Sequence, residues 1–187
     1  MTTIAAVQGR GWAVVGYDSL VSISTGGRSY GLPTDAGKCF EVGEYLFGIA
    51  GDFRAVNIVS HNFRPPDAGK YSGTELDKFM VSKFVPALKK CFSDNSYGKD
   101  AEHGSDILVV ANATVYELGA YYDCLRDSRG LYAIGSGGDY ALGALIALDG
   151  EGRRTVGKTK ENMERALQIA AYVDTATSEP IYIRTKR

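Results

Sequence analysis

The chain has 187 residues, 21 basic and 22 acidic side chains, and a formal net charge of −1. That length suffices for one domain, residues 1–187, with a substantial core, and the balanced, scattered charge argues against nucleic acid and anionic membranes as partners. No apolar run approaches membrane-spanning length and no cationic stretch backed by an apolar one opens the chain, so a cytoplasmic protein is expected.

Residues 2–7 alternate weakly, Gly9-Arg10-Gly11 reads as a turn, and residues 12–17 form an apolar run that returns antiparallel to the first. Thr2 and Asp18 therefore fall at the same end of one hairpin. Residues 20–24 read as a short strand and the Gly-rich stretch 25–37 as a loop. Residues 38–42 and 45–50 make a second hairpin over Gly43-Glu44. Residues 52–61 have helical spacing. The clearest helix is 74–92, with Leu76, Phe79, Met80, Phe84, Leu88 and Cys91 on one stripe and Pro86 set to kink or break it.

Residues 106–112, 114–120 and 131–134 read as strands. Residues 139–148 are apolar nearly all round, which predicts a helix covered on both sides, whereas 161–173 are amphipathic. Residues 180–184 close the chain as a strand. The succession of strands, helices, strands, helices and strand is an α+β order of antiparallel sheet layered with helix.

The reactive side chains narrow the chemistry. Cys39, Cys91 and Cys124 are odd in number and widely spaced, and the first two sit in apolar settings typical of reduced thiols. The only histidines are His61, at a helix end, and His103, in the polar loop 98–105. Both read as surface residues, which demotes a Ser-His-Asp triad or a His-based zinc site.

The chain start offers a different mechanism. Removal of Met1 would leave Thr2 with a hydroxyl and a free α-amine on adjacent carbons, a nucleophile with a built-in base that titrates near about 8. A buried Lys38 ammonium beside that amine would lower its pKa by charge repulsion, and Asp18 can pair with Lys38 and orient it.

Four stretches carry a family resemblance: Thr2-Thr3-Ile4, Gly16-Tyr17-Asp18, the run from Gly37-Lys38-Cys39 to Phe47-Gly48-Ile49-Ala50-Gly51, and Ala133-Ile134-Gly135-Ser136-Gly137-Gly138 leading into a helix. In order and spacing over nearly the whole length, the chain resembles the proteasome-type N-terminal nucleophile (Ntn) hydrolases, and within them the bacterial HslV peptidases. The resemblance implies a four-layer α-β-β-α sandwich of two antiparallel sheets and a threonine endopeptidase. It assigns Thr2 as nucleophile, Asp18 and Lys38 as the charged pair, Ser136 as the hydroxyl near the amine, and the Gly48 N–H as the oxyanion donor. Asp174 and Thr177 take the acidic and hydroxyl positions that close the site.

No cofactor is implied for the chemistry, but carbonyls of Ala171, Asp174 and Thr177 would bind a structural Na+ or Mg2+. The implied partners are identical subunits in stacked rings, an ATP-dependent unfoldase and unfolded polypeptide as substrate. Two departures stand out: the loop between Ser24 and Lys38 is longer than the family's, which would alter a pocket wall, and residues 174–178 lack a Ser-Gly-Gly. The same residues would also serve an Ntn amidase or acylase of small amides. A chain that retains Met1 would instead be a catalytically silent ring or scaffold protein.

One motif points elsewhere. Gly152-Arg153-Arg154-Thr155-Val156-Gly157-Lys158-Thr159 matches the phosphate-binding P-loop pattern. The run before it reads as helix, so it is expected to be a solvated connector whose Thr159 caps the last helix.

Overall fold

The computed structural model describes residues 2–23, 28–31, 37–98, 102–150 and 154–187. Met1, most of the longer loop before Lys38, and Gly152-Arg153 of the P-loop pattern lie outside the described residues. Among the described residues there are eleven strands and five α-helices: β1 (Thr3–Gly9), β2 (Trp12–Asp18), β3 (Leu20–Ile23), β4 (Arg28–Gly31), β5 (Cys39–Val42), β6 (Tyr45–Gly51), α1 (Phe53–Asn62), α2 (Gly73–Phe79), α3 (Val85–Asp94), β7 (Ser105–Ala111), β8 (Thr114–Leu118), β9 (Cys124–Leu125), β10 (Leu131–Gly135), α4 (Gly138–Asp149), α5 (Val156–Val173) and β11 (Ile181–Lys186).

They build one antiparallel sheet in the order β10-β1-β2-β11 and a second in the order β5-β6-β7-β8-β9, with β3-β4 as a separate ribbon. Strand periodicity of two sorts the core. Ile4, Ala6, Ala13 and Val15 of the first sheet meet Leu46, Ala50, Leu108 and Val110 of the second between the sheets. Their neighbours Ala5, Val7 and Val14 turn outward onto Leu145, Met163, Leu167 and Ala170 of α4 and α5. Phe47, Ile49, Ile107 and Val109 turn outward on the other side, onto Val59, Leu76, Phe84 and Leu88. The result is the four-layer α-β-β-α sandwich.

Pro86 interrupts the α-helical run without ending it. Between α2 and α3 the five residues Met80–Phe84 form a π-helical turn, and the Val85 N–H reaches back to the Met80 carbonyl. The wider turn lets the chain continue past a proline that lacks an N–H and would crowd the preceding turn.

Four readings are corrected. The Gly-rich stretch contains β4, paired with β3 from Leu20↔Gly31 to Ile23↔Arg28. Helix α4 is covered on one face only: Ala141 and Leu145 are buried, whereas Tyr140 and Ile146 are 46% and 47% exposed. Helix α5 starts at Val156 with Thr155 as its cap, accepting from the Lys158 N–H, so Thr159 is a buried residue inside the helix. Val156 to Thr159 are thus helical, and no phosphate-cradling loop exists there. Last, His103 is 1% exposed, packed against the rings of Phe92 and Tyr122.

Candidate active site

The β1–β2 register places Ile4 opposite Tyr17, so the residues just before β1 and at the end of β2 share one edge. Asp18 is the centre of that edge and is fully buried. Its Oδ1 accepts the Thr3 N–H at 2.9 Å and the Lys38 ammonium at 2.6 Å, while Oδ2 accepts N–H groups from Leu20 at 3.0 Å and Ser178 at 3.4 Å. A buried carboxylate tolerates the interior only when its lone pairs are taken up in this way.

Lys38 is 1% exposed and leads into β5, its carbonyl accepting the Ile49 N–H at 3.0 Å. Burial lowers the Lys38 pKa, opposed by the charge of Asp18, the hydrogen bond to it and the charge of Asp174. Because Lys38 and the Thr3 N–H bond the same oxygen, the ammonium stands beside Thr3, the first residue of β1 and the neighbour of Thr2. The neighbouring Cys39 thiol is pushed up to about 12 by burial, so it stays protonated and is no rival nucleophile.

Thr2 itself is 5% exposed and rests on Gly135. A side chain at Gly135 would place its Cβ 2.0 Å from the Thr2 carbonyl oxygen, and its φ of +87° suits only glycine. The chain then runs through Ser136 and Gly137 into α4. Ser136 Oγ donates to Asp174 Oδ2 at 2.7 Å, as does Thr177 Oγ1, and the Ala176 N–H donates to Asp174 Oδ1 at 3.1 Å. Thr177 Oγ1 also meets Thr3 Oγ1 in a short hydrogen bond. Burial alone would raise the Asp174 carboxyl, but the donors from Ser136, Thr177 and Ala176 outweigh it and hold its pKa below the usual carboxylate value.

Thr2, Asp18, Lys38, Ser136, Asp174 and Thr177 are therefore brought to one place. Gly48 is not suited to the part assigned to it. Ile49 directs its N–H toward β5, and successive residues of a strand face opposite ways, so the Gly48 N–H faces β7, where Leu108 is its partner. That N–H belongs to the sheet. Gly51 shares the Ile49 side, lies at the exposed end of β6, beyond the Lys38–Ile49 bond, and has φ +110°. A Cβ there would lie 2.5 Å from the Gly104 carbonyl oxygen. The Gly51 N–H thus points to the same side as that of Ile49, beyond the first residue of β5.

Thr3 is the other residue the sequence reading missed. Its N–H and its hydroxyl join the Asp18 and Asp174 halves of the site, and only the register could have revealed this. The expected cation site fits in part. Ala171 lies in the last turn of α5, where helix carbonyls run out of intrahelical donors. The Asp174 carbonyl, by contrast, already accepts the Thr177 N–H at 3.0 Å. Among the described residues no three His, Cys, Asp or Glu side chains gather as a metal site.

The fold has clear counterparts among solved structures. BPH from Thiobacillus denitrificans superposes with a TM-score of 0.78 at 19% identity, over 100% of this chain and 98% of that one. Eukaryotic HslV from Trypanosoma brucei gives a TM-score of 0.68 at 18% identity, over 100% and 99%. An Anbu (Gly-1) mutant from Hyphomicrobium sp. strain MC1 gives 0.71 at 12% identity, over 98% and 80%. No family model and no curated protein matches the chain. The chain has the HslV/proteasome-like Ntn-hydrolase fold.

Proposed function

We propose that the chain is the subunit of a proteasome-like threonine peptidase, active once Met1 is removed. The observation that carries this reading is the buried Asp18–Lys38 pair, tied through Thr3 to the first residues of β1. Burying two charges is costly, and an apolar pair of similar size would serve stability as well. A cation held beside Thr2 has a chemical use.

In the mechanism, Thr2 Oγ attacks the substrate carbonyl and its proton passes to the Thr2 α-amine. Lys38 keeps the amine's pKa low enough for it to be neutral, and Asp18 keeps Lys38 charged and in place. The Gly51 N–H stabilises the oxyanion. The amine then gives its proton to the leaving nitrogen, and water hydrolyses the acyl-threonine ester. Ser136, Asp174 and Thr177 orient the amine. A Na+ or Mg2+ ion at the end of α5, held by the Ala171 carbonyl, would brace the turn to Asp174 and takes no part in any step.

The assembly follows the same reading: identical subunits in stacked rings, fed with unfolded polypeptide by an ATP-dependent unfoldase in the cytoplasm. The exposed apolar residues Tyr140, Ile146, Ile169 and Tyr172 on α4 and α5 favour association through that helical layer. Among the described residues no helix is long and apolar enough to cross a membrane. The test is hydrolysis of a denatured protein such as casein. The processed wild-type chain should degrade it and Thr2→Ala should not; equal rates would overturn the proposal.

A further inference from the structure

We propose that the opposite end of the sandwich carries a docking site for an acidic peptide segment of a partner protein. This stands apart from the Thr2 chemistry. The seven residues of β1 separate the two places by about 20 Å. There, a cleft of about 670 Å³ joins one of about 400 Å³ through the shared residues Gln8, Arg129 and Arg154.

Together the two clefts are lined by four arginines, Arg10, Arg126, Arg129 and Arg154, against two aspartates, Asp127 and Asp149. Asp77, which holds Arg126, brings the carboxylates to three, so this surface keeps an excess of one positive charge, that of Arg10, in a chain whose net charge is −1. The guanidinium groups are also held in position. Arg154 donates Nε and Nη2 to Asp149 and Nη1 to the Gln8 carbonyl at 2.9 Å. Arg129 clasps Asp127 through Nε and Nη2, and Arg126 donates to Asp77 at 2.7 Å. Among the described residues the Nη1 of Arg129 and the whole guanidinium of Arg10 make no hydrogen bond, so donors remain for a ligand.

The anchoring of the arginines selects the ligand. Arg126, Arg129 and Arg154 are each anchored by a different aspartate, so they are not drawn to one point as a single phosphate would require. A chain bearing several spaced carboxylates matches them better. Trp12 supplies an apolar platform on the same wall: its ring lies across Gly9, where a Cβ would be 2.1 Å away, so the indole is fixed.

Trp12 is the only tryptophan of the chain, which makes its emission a direct reporter. The experiment titrates the full chain with end-blocked hexaglutamate at low ionic strength. A saturable change in Trp12 emission is expected, fading as salt is raised. The double variant Arg10→Glu, Arg129→Glu should bind about tenfold more weakly or worse. Arg165→Glu, on the exposed face of α5, makes the same kind of charge reversal away from the clefts and should bind as wild type does; circular dichroism confirms that each variant is folded. No saturable change, equal binding by the double variant, an equal loss in Arg165→Glu, or the same response to inorganic phosphate alone would overturn the proposal.

Discussion

Lys38 and His103 are both 1% exposed, yet the protein treats them in opposite ways. Lys38 is given a carboxylate at 2.6 Å, itself held by three backbone N–H groups. His103 is given aromatic rings: Phe92 and Tyr122 flank it, and among the described residues neither ring nitrogen has a hydrogen-bond partner. Burial lowers the His103 pKa, with the Asp123 carboxylate opposing weakly, so the imidazole is stored neutral as an apolar plate. The comparison separates a buried charge kept with its counter-ion from a buried ionisable group used as packing.

Replacing each by an apolar side chain of similar shape should break the symmetry most visibly at Lys38. Lys38→Met leaves the Asp18 carboxylate buried without its cation and should cost about 3–5 kcal/mol of stability, measured by urea denaturation. Proteolysis should fall by about 10²–10⁴-fold. The pH–rate profile discriminates further. The amine must be neutral to accept a proton, so losing the nearby positive charge should move the acidic limb to higher pH. A variant that loses stability with an unmoved limb would make Lys38 a structural residue only.

His103→Phe should be nearly neutral at pH 7, since no hydrogen bond is lost. Its effect appears in acid. With the folded pKa below the unfolded value, the unfolded state takes up the proton first, so wild-type stability falls as pH drops below about 6.5, by at most about 1.4 kcal/mol per pH unit. The loss levels off below the folded pKa. His103→Phe should remove that part of the slope, read from urea midpoints at pH 7 and pH 5. The smallest effect belongs to Lys90→Ala, which deletes an ion pair of 2.7 Å with Asp94 on the surface of α3, only 0.1 Å longer than that of Lys38 with Asp18 at 2.6 Å. It should change stability by less than about 0.5 kcal/mol, because water and salt screen that pair.

Local signals in the sequence carried much of this. The Gly9-Arg10-Gly11 turn and the alternation around it put Thr2 and Asp18 at one end of a hairpin, as the Gly9↔Trp12 register has it. What stayed hidden depended on neighbours distant in the chain. Glu102, Gly104 and Ser105 make the surroundings of His103 look polar, but Phe92 and Tyr122 close over it. Gly48 and Gly51 are both glycines of one strand, and only the order β5-β6-β7 decides which N–H the sheet consumes. Thr155 and Thr159 are one helical turn apart, so the cap could not be told from the buried residue by type. Strand β9, two residues long, is too short to leave a pattern.

The central claim is that Thr2 carries both nucleophile and base. A threonine-directed epoxyketone suits its test, because it offers two electrophilic carbons to an adjacent hydroxyl and amine. Intact mass should show the chain short of Met1, then heavier by one inhibitor molecule per chain, with no addition in Thr2→Ala. Retention of Met1, or an adduct that persists in Thr2→Ala, would contradict the account.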